Sequence, residues 1–148
     1  MNRLPDDALE LDRQVCFALA VASRSVIGVY RPILEPLGLT HPQYLVMLAL
    51  WGDVPLRFRE IADMLRMDPA TLSPIVKRLE HSGLIERAAV DGDERTFSLA
   101  PTEAGLALRE RALDVPPAVI DRLGIPVERL MALRDELSLV IDAVDRPA

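Results

Sequence analysis

Few folds accommodate the stretch DPATLSPIVKRLEHSGLIERAAVDGDERTFSLAPTEAG, residues 68–105. Asp68 followed by Pro69 is an N-cap and first-turn pair, and Gly83 supplies a stop, so one helix fills the space between them. Its apolar residues Leu72, Ile75, Val76 and Leu79 share a face, which leaves Ala70, Ser73, Pro74, Lys77 and His81 on the other. Behind the glycine, LIERA and RTFSLA read as two short strands joined across Asp91, Gly92, Asp93 and Glu94, a turn-rich hairpin tip. A shorter helix carrying Phe58, Ile61, Ala62 and Leu65 on one side precedes Asp68.

Capped helix, tight turn, helix and polar hairpin, in that order, predict a mainly α fold with a small β-hairpin wing: a winged helix–turn–helix. In that arrangement the second helix enters the major groove of duplex DNA and the hairpin follows the backbone. Small residues at its start, Ala70 and Pro74 among them, allow close approach, and Thr71 and Ser73 can bond to base edges. Lys77 and Arg78 lie one to two turns on, within reach of phosphates or a guanine. Arg95 is the wing residue suited to a minor groove, with Asp93 placed to hold its guanidinium. Pro74 is an anomaly: it removes a bond to the Ala70 carbonyl, so either the helix begins later than Asp68 or that carbonyl is solvated.

Elsewhere the chain reads as helix. From Leu11, apolar residues Val15, Ala18, Leu19, Ala22, Val26, Val29 and Ile33 recur at spacings of three and four, and Pro36 and Gly38 end the run. THPQ opens another helix with Thr40 as cap and Gln43 completing a capping box; the YLVMLALW that follows is apolar nearly all round and belongs inside, Met47 and Trp51 included. Thr102 caps a further helix, Pro116 and Pro117 interrupt it, and Val127–Val144 gives the last, with Leu130, Leu133, Leu137, Val140 and Ile141 in step. The 148 residues form a single domain in which 40–100 read DNA, while the terminal parts, 1–36 and 102–148, pair two chains through their apolar stripes.

Charge limits the mode of DNA binding. The net charge is −6, and between Arg57 and Arg95 seven basic residues face eight acidic ones. General attraction to a polyanion is therefore weak. Binding must rest on local contacts, doubled in a homodimer whose recognition helices meet half-sites roughly 34–36 Å apart on a palindrome. Neither membrane insertion nor secretion is expected: no unbroken apolar run exceeds the eight residues of Tyr44–Trp51, and the acidic start MNRLPDDALELDRQV is unlike a signal peptide. A cytoplasmic protein is the expectation. One cysteine, Cys16, cannot close an intrachain disulfide, and with two histidines it makes a poor zinc site; no metal or other cofactor is expected.

DPATLSPIVKRLEHSGLIER with DGDERTFSLAPTEAG resembles the MarR family of dimeric winged-helix regulators. VCFAL, YRP and PQYLVMLALW are similar to its organic hydroperoxide resistance (OhrR) branch, in the one-cysteine form. The resemblance implies a repressor, not an enzyme, that leaves its operator when Cys16 is oxidised by an organic hydroperoxide and then trapped by a low-molecular-weight thiol. It also implies tyrosines bonded to the reactive sulfur. Tyr30 matches one; His41 stands where a second is expected, and Ala20 where another can occur on the first helix. A histidine there can donate a hydrogen bond to a thiolate, the more strongly if protonated. Cys16 and Tyr30 are fourteen residues apart, roughly 21 Å on one straight helix, so a Tyr30 near a Cys16 must belong to the other chain.

Two other readings stay open. In one, a small phenolic or apolar ligand in the dimer crevice relieves a MarR-type repressor and Cys16 is inert. In the other, the chain is a thiol peroxidase, against which stand the missing resolving cysteine and the scarcity of nearby basic residues beyond Arg13 and Arg24.

Overall fold

The computed structural model describes residues 9–10, 14–90 and 93–147, with the backbone alone at 89–90 and 93–96. Seven helices and three strands are present among the described residues: α1 (Val15–Leu34), α2 (His41–Leu50), β1 (Leu56–Arg57), α3 (Phe58–Met64), α4 (Pro69–His81), β2 (Ile85–Val90), β3 (Asp93–Pro101), α5 (Glu103–Ala112), α6 (Val115–Leu123) and α7 (Val127–Asp145).

The local signals act where the chain chemistry puts them. Thr40 Oγ1 accepts from the Gln43 amide and the Gln43 side chain accepts from the Thr40 amide, so two otherwise orphaned donors at the start of α2 are satisfied. A one-turn 3₁₀ segment, Glu35–Leu37, and Gly38 in the left-handed region at φ 72° close α1. Asp68 accepts from the Ala70 amide at 3.1 Å and caps α4. Because α4 begins at Pro69, the late-start explanation for Pro74 falls away. Ala70 is exposed, so solvent can satisfy the carbonyl that Pro74 leaves without a helical donor.

Three features differ from the sequence reading. Pro116 and Pro117 do not interrupt a helix: they lie in the first turn of α6, where a missing N–H costs nothing, and the break between α5 and α6 falls before them at Leu113–Asp114. A third strand, β1, pairs antiparallel with β3 (Leu56 opposite Leu99, Arg57 opposite Ser98), giving the order β1-β3-β2. Two residues carry no periodicity by which to be seen. By length and composition, moreover, Val15–Leu37 is long and apolar enough to cross a membrane; average hydropathy absorbs Ser23, Arg24 and Ser25, which break the unbroken run. Leu11 lies outside the described residues, and the first helix starts at Val15.

One core unites the centre. Leu34 of α1, Val46, Met47 and Leu50 of α2, Ile61 of α3, Leu72, Val76 and Leu79 of α4, Ile85 and Leu99 of the sheet and Val115 of α6 are almost fully buried. Each such side chain contributes about 1.5–3 kcal/mol relative to exposure. This centre is joined to α5 at a tight knot. Gly105 sits so close to the turn after α4 that a Cβ would stand 2.1 Å from the Leu84 carbonyl oxygen. Trp51, half-buried, donates its indole N–H to the Gly105 carbonyl at 2.9 Å, and Thr102 accepts from the Gly105 amide at 3.1 Å. In contrast, α7 buries no residue and α1 only Leu34. Phe17 is 39% exposed, Leu133 52% and Val144 78%.

Candidate DNA-reading surface and thiol site

The amphipathic division of α4 decides what it can present. Leu72, Val76 and Leu79 face the core, which turns Ala70, Thr71, Pro74, Lys77 and Arg78 outward together; Ser73 is half-buried. Arg95 and Asp93 belong to β3, but their side chains lie outside the described residues. The sequence reading missed Arg87 on β2. Its guanidinium grips the Glu80 carboxylate with two donors, Nε to Oε2 at 2.8 Å and Nη2 to Oε1, and stacks over the Phe97 ring with Cζ 4.3 Å from the centroid. The Glu80 hydrogen bond raises the pKa of Arg87 further. Residues seven positions apart and across a strand give no sequence signal of this kind; only the hairpin register brings them together.

Cys16 is the second residue of α1 and is exposed. At the far end of the same helix, Tyr30 packs against His41 with ring centroids 4.9 Å apart and a 60° tilt, and against Tyr44 at 5.8 Å. Tyr44, assigned to the interior as part of an apolar helix, thus also belongs to this cluster. Burial raises the Tyr30 pKa and lowers that of His41; Tyr44 is raised by burial and then by Tyr30. The surroundings therefore favour neutral imidazole, which can donate one ring hydrogen bond, over the protonated form entertained from sequence. His41 also lines an open cavity of about 620 Å³ with Ile27, Arg31, Glu35, Leu39 and Thr40. Within one chain, Tyr30 and His41 come together while Cys16 stands fourteen residues away, roughly 21 Å along the helix.

A capped helix pair, a recognition helix with one polar face and a three-stranded wing define a winged helix–turn–helix regulator. The chain belongs to the MarR family, whose profile matches residues 39–97, and is a transcriptional regulator of that type. It is 35% identical to the organic hydroperoxide resistance transcriptional regulator of Bacillus subtilis (strain 168) over 138 residues, 93% of this chain and 94% of the relative. Among solved structures it is similar to reduced AbfR bound to DNA, at TM-score 0.75 and 29% identity over 93% of this chain and 96% of that one. It is also similar to CouR from Rhodococcus jostii RHA1 bound to p-coumaroyl-CoA, at TM-score 0.76 and 28% identity, covering 88% and 94% respectively.

Proposed function

We propose that the chain is a homodimeric repressor that leaves a palindromic operator when Cys16 is oxidised by an organic hydroperoxide. The observation that carries this reading is the layout of α1: an exposed thiol at one end, an aromatic cluster containing Tyr30 and His41 at the other, and an uncovered apolar stripe between them. Two such helices laid antiparallel bring each Cys16 to the partner's cluster and bury both stripes. The lengths 1–36 and 102–148 then serve the dimer, and 40–100 the DNA. Ala70, Thr71, Ser73, Pro74, Lys77 and Arg78 meet the major groove, with Arg95, supported by Asp93, at a minor groove. A regulator acting on DNA works in the cytoplasm, and the apolar face of α1 meets a second copy instead of lipid.

Cys16 thiolate attacks the outer oxygen of the hydroperoxide, the O–O bond breaks, and the departing alkoxide takes a proton to leave as alcohol, giving a sulfenic acid. A low-molecular-weight thiol then displaces water from the sulfenic acid to form a mixed disulfide. Tyr30 and neutral His41 donate to the sulfur before attack. Bulk added at the junction of two chains alters the separation of their recognition helices. The similarity to the Bacillus subtilis regulator and to reduced AbfR on DNA supports this choice.

A second reading is favoured by the open cavity beside His41 and by the likeness to CouR with p-coumaroyl-CoA: a non-oxidising ligand relieves repression and Cys16 is inert. A gel shift on the protein's own upstream DNA separates them. Wild type should lose its shifted band on addition of an organic hydroperoxide and a small thiol while Cys16→Ser keeps it. Release of both proteins by the oxidant would rule out the thiol switch.

A further inference from the structure

Arg87 is engaged on two sides. It pairs with Glu80 through two donors and lies flat over Phe97; Phe97 in turn packs tilted against Phe58, ring centroids 6.1 Å apart. Glu80 is in the last turn of α4, Arg87 on β2, Phe97 on β3, and Phe58 opens α3. One guanidinium thus joins the recognition helix to both wing strands and, through Phe97, to the helix in front.

The sheet shows why a brace is needed there. The base of the wing is held by β1, but that pairing covers only Leu99 and Ser98 of β3. Beyond them β3 has β2 alone, and the β2–β3 ladder carries an irregularity between Ala89 and Val90. Arg87 and Phe97 are diagonal neighbours across the two strands, just where support from β1 ends.

We infer that Arg87 is a positioning residue that fixes the angle between wing and recognition helix, and is not itself a phosphate contact. The inference rests on the DNA-binding reading above. It makes a prediction contrary to simple electrostatics. Glu80 places a negative charge on the DNA-reading helix, so its neutralisation should strengthen binding to a polyanion; if Glu80 holds Arg87 in place, its neutralisation weakens binding instead. Similarly, lysine serves a phosphate as a point charge but cannot reproduce a bidentate, stacked guanidinium.

The test compares wild type, Glu80→Gln, Arg87→Lys and Arg87→Met on a duplex from the protein's own upstream DNA, and follows amide hydrogen exchange at Ala88 and Ser98, which lie opposite each other on β2 and β3, in the DNA-free protein. All three variants should bind the duplex roughly three- to tenfold more weakly and exchange those amides faster, with an unchanged thermal midpoint. Glu80→Gln binding as tightly as wild type or tighter, or Arg87→Lys binding like wild type, would make Arg87 a phosphate contact and overturn the inference. If wild type itself gives no shift, the DNA reading fails, and the exchange comparison still decides whether the brace exists: unchanged exchange refutes it.

Discussion

His41 shows how much a single residue's surroundings decide. Its ring sits against Tyr30 and is partly withdrawn from water, which lowers its pKa below 6.5. The unfolded chain therefore binds the proton more readily than the folded one. Stability at this site is intact above pH 6.5 and is lost as pH falls through the lower, folded-state value. Thermal midpoints measured from pH 7.5 to 5 should show a fall in wild type that is smaller in His41→Gln; parallel profiles would refute the assignment. Gly105 makes a second residue-scale prediction. A methyl group there meets the Leu84 carbonyl, and backbone cannot swing aside as a side chain can. Gly105→Ala should cost about 1–3 kcal/mol, read from urea melts, without altering any group on the outward face of α4.

At the scale of elements, α4 carries the clearest expectations. Lys77 and Arg78 are exposed on its outward face, and Lys77→Ala should weaken binding about equally on all sequences and reduce the salt-dependence slope by roughly one. Thr71→Ala should instead relax preference at one position of the operator, by about 1–3 kcal/mol if Thr71 reads a base edge. Much of this architecture was legible in the chain because caps and stops act locally: Thr40 with Gln43, Asp68 with Pro69, and Gly38 all announce themselves within four residues. What escaped depended on partners distant in sequence. Two residues of β1 become a strand only because Leu99 lies opposite, and Arg87 becomes a brace only because the hairpin folds Phe97 beneath it. Pro116 and Pro117 misled for a different reason, since a proline pair permits both the break and the beginning of a helix. In the aromatic cluster at the far end of α1, Tyr30 and His41 were singled out through resemblance, whereas Tyr44, which packs with Tyr30, was hidden in a run of apolar residues.

For the whole molecule, the uncovered stripes of α1 and α7 dominate. A chain that leaves Phe17, Leu133, Val140 and Val144 in water gains from burying them in a second copy, so unfolding should depend on protein concentration. Replacing Leu133 and Val140 together by glutamate should yield a monomer by sedimentation that retains helix content but loses operator binding at concentrations where wild type binds. A dimeric double variant would show that α7 is not in the interface.

The length of α1 has a consequence for mixed pairs as well. Under the proposed arrangement, each sensing centre takes its sulfur from one polypeptide and its tyrosine from the other. When Cys16→Ser and Tyr30→Phe chains are coexpressed, the mixed dimer, separated from the two homodimers, should then leave its operator on oxidation although neither homodimer does, because the mixed pair rebuilds one intact centre out of two.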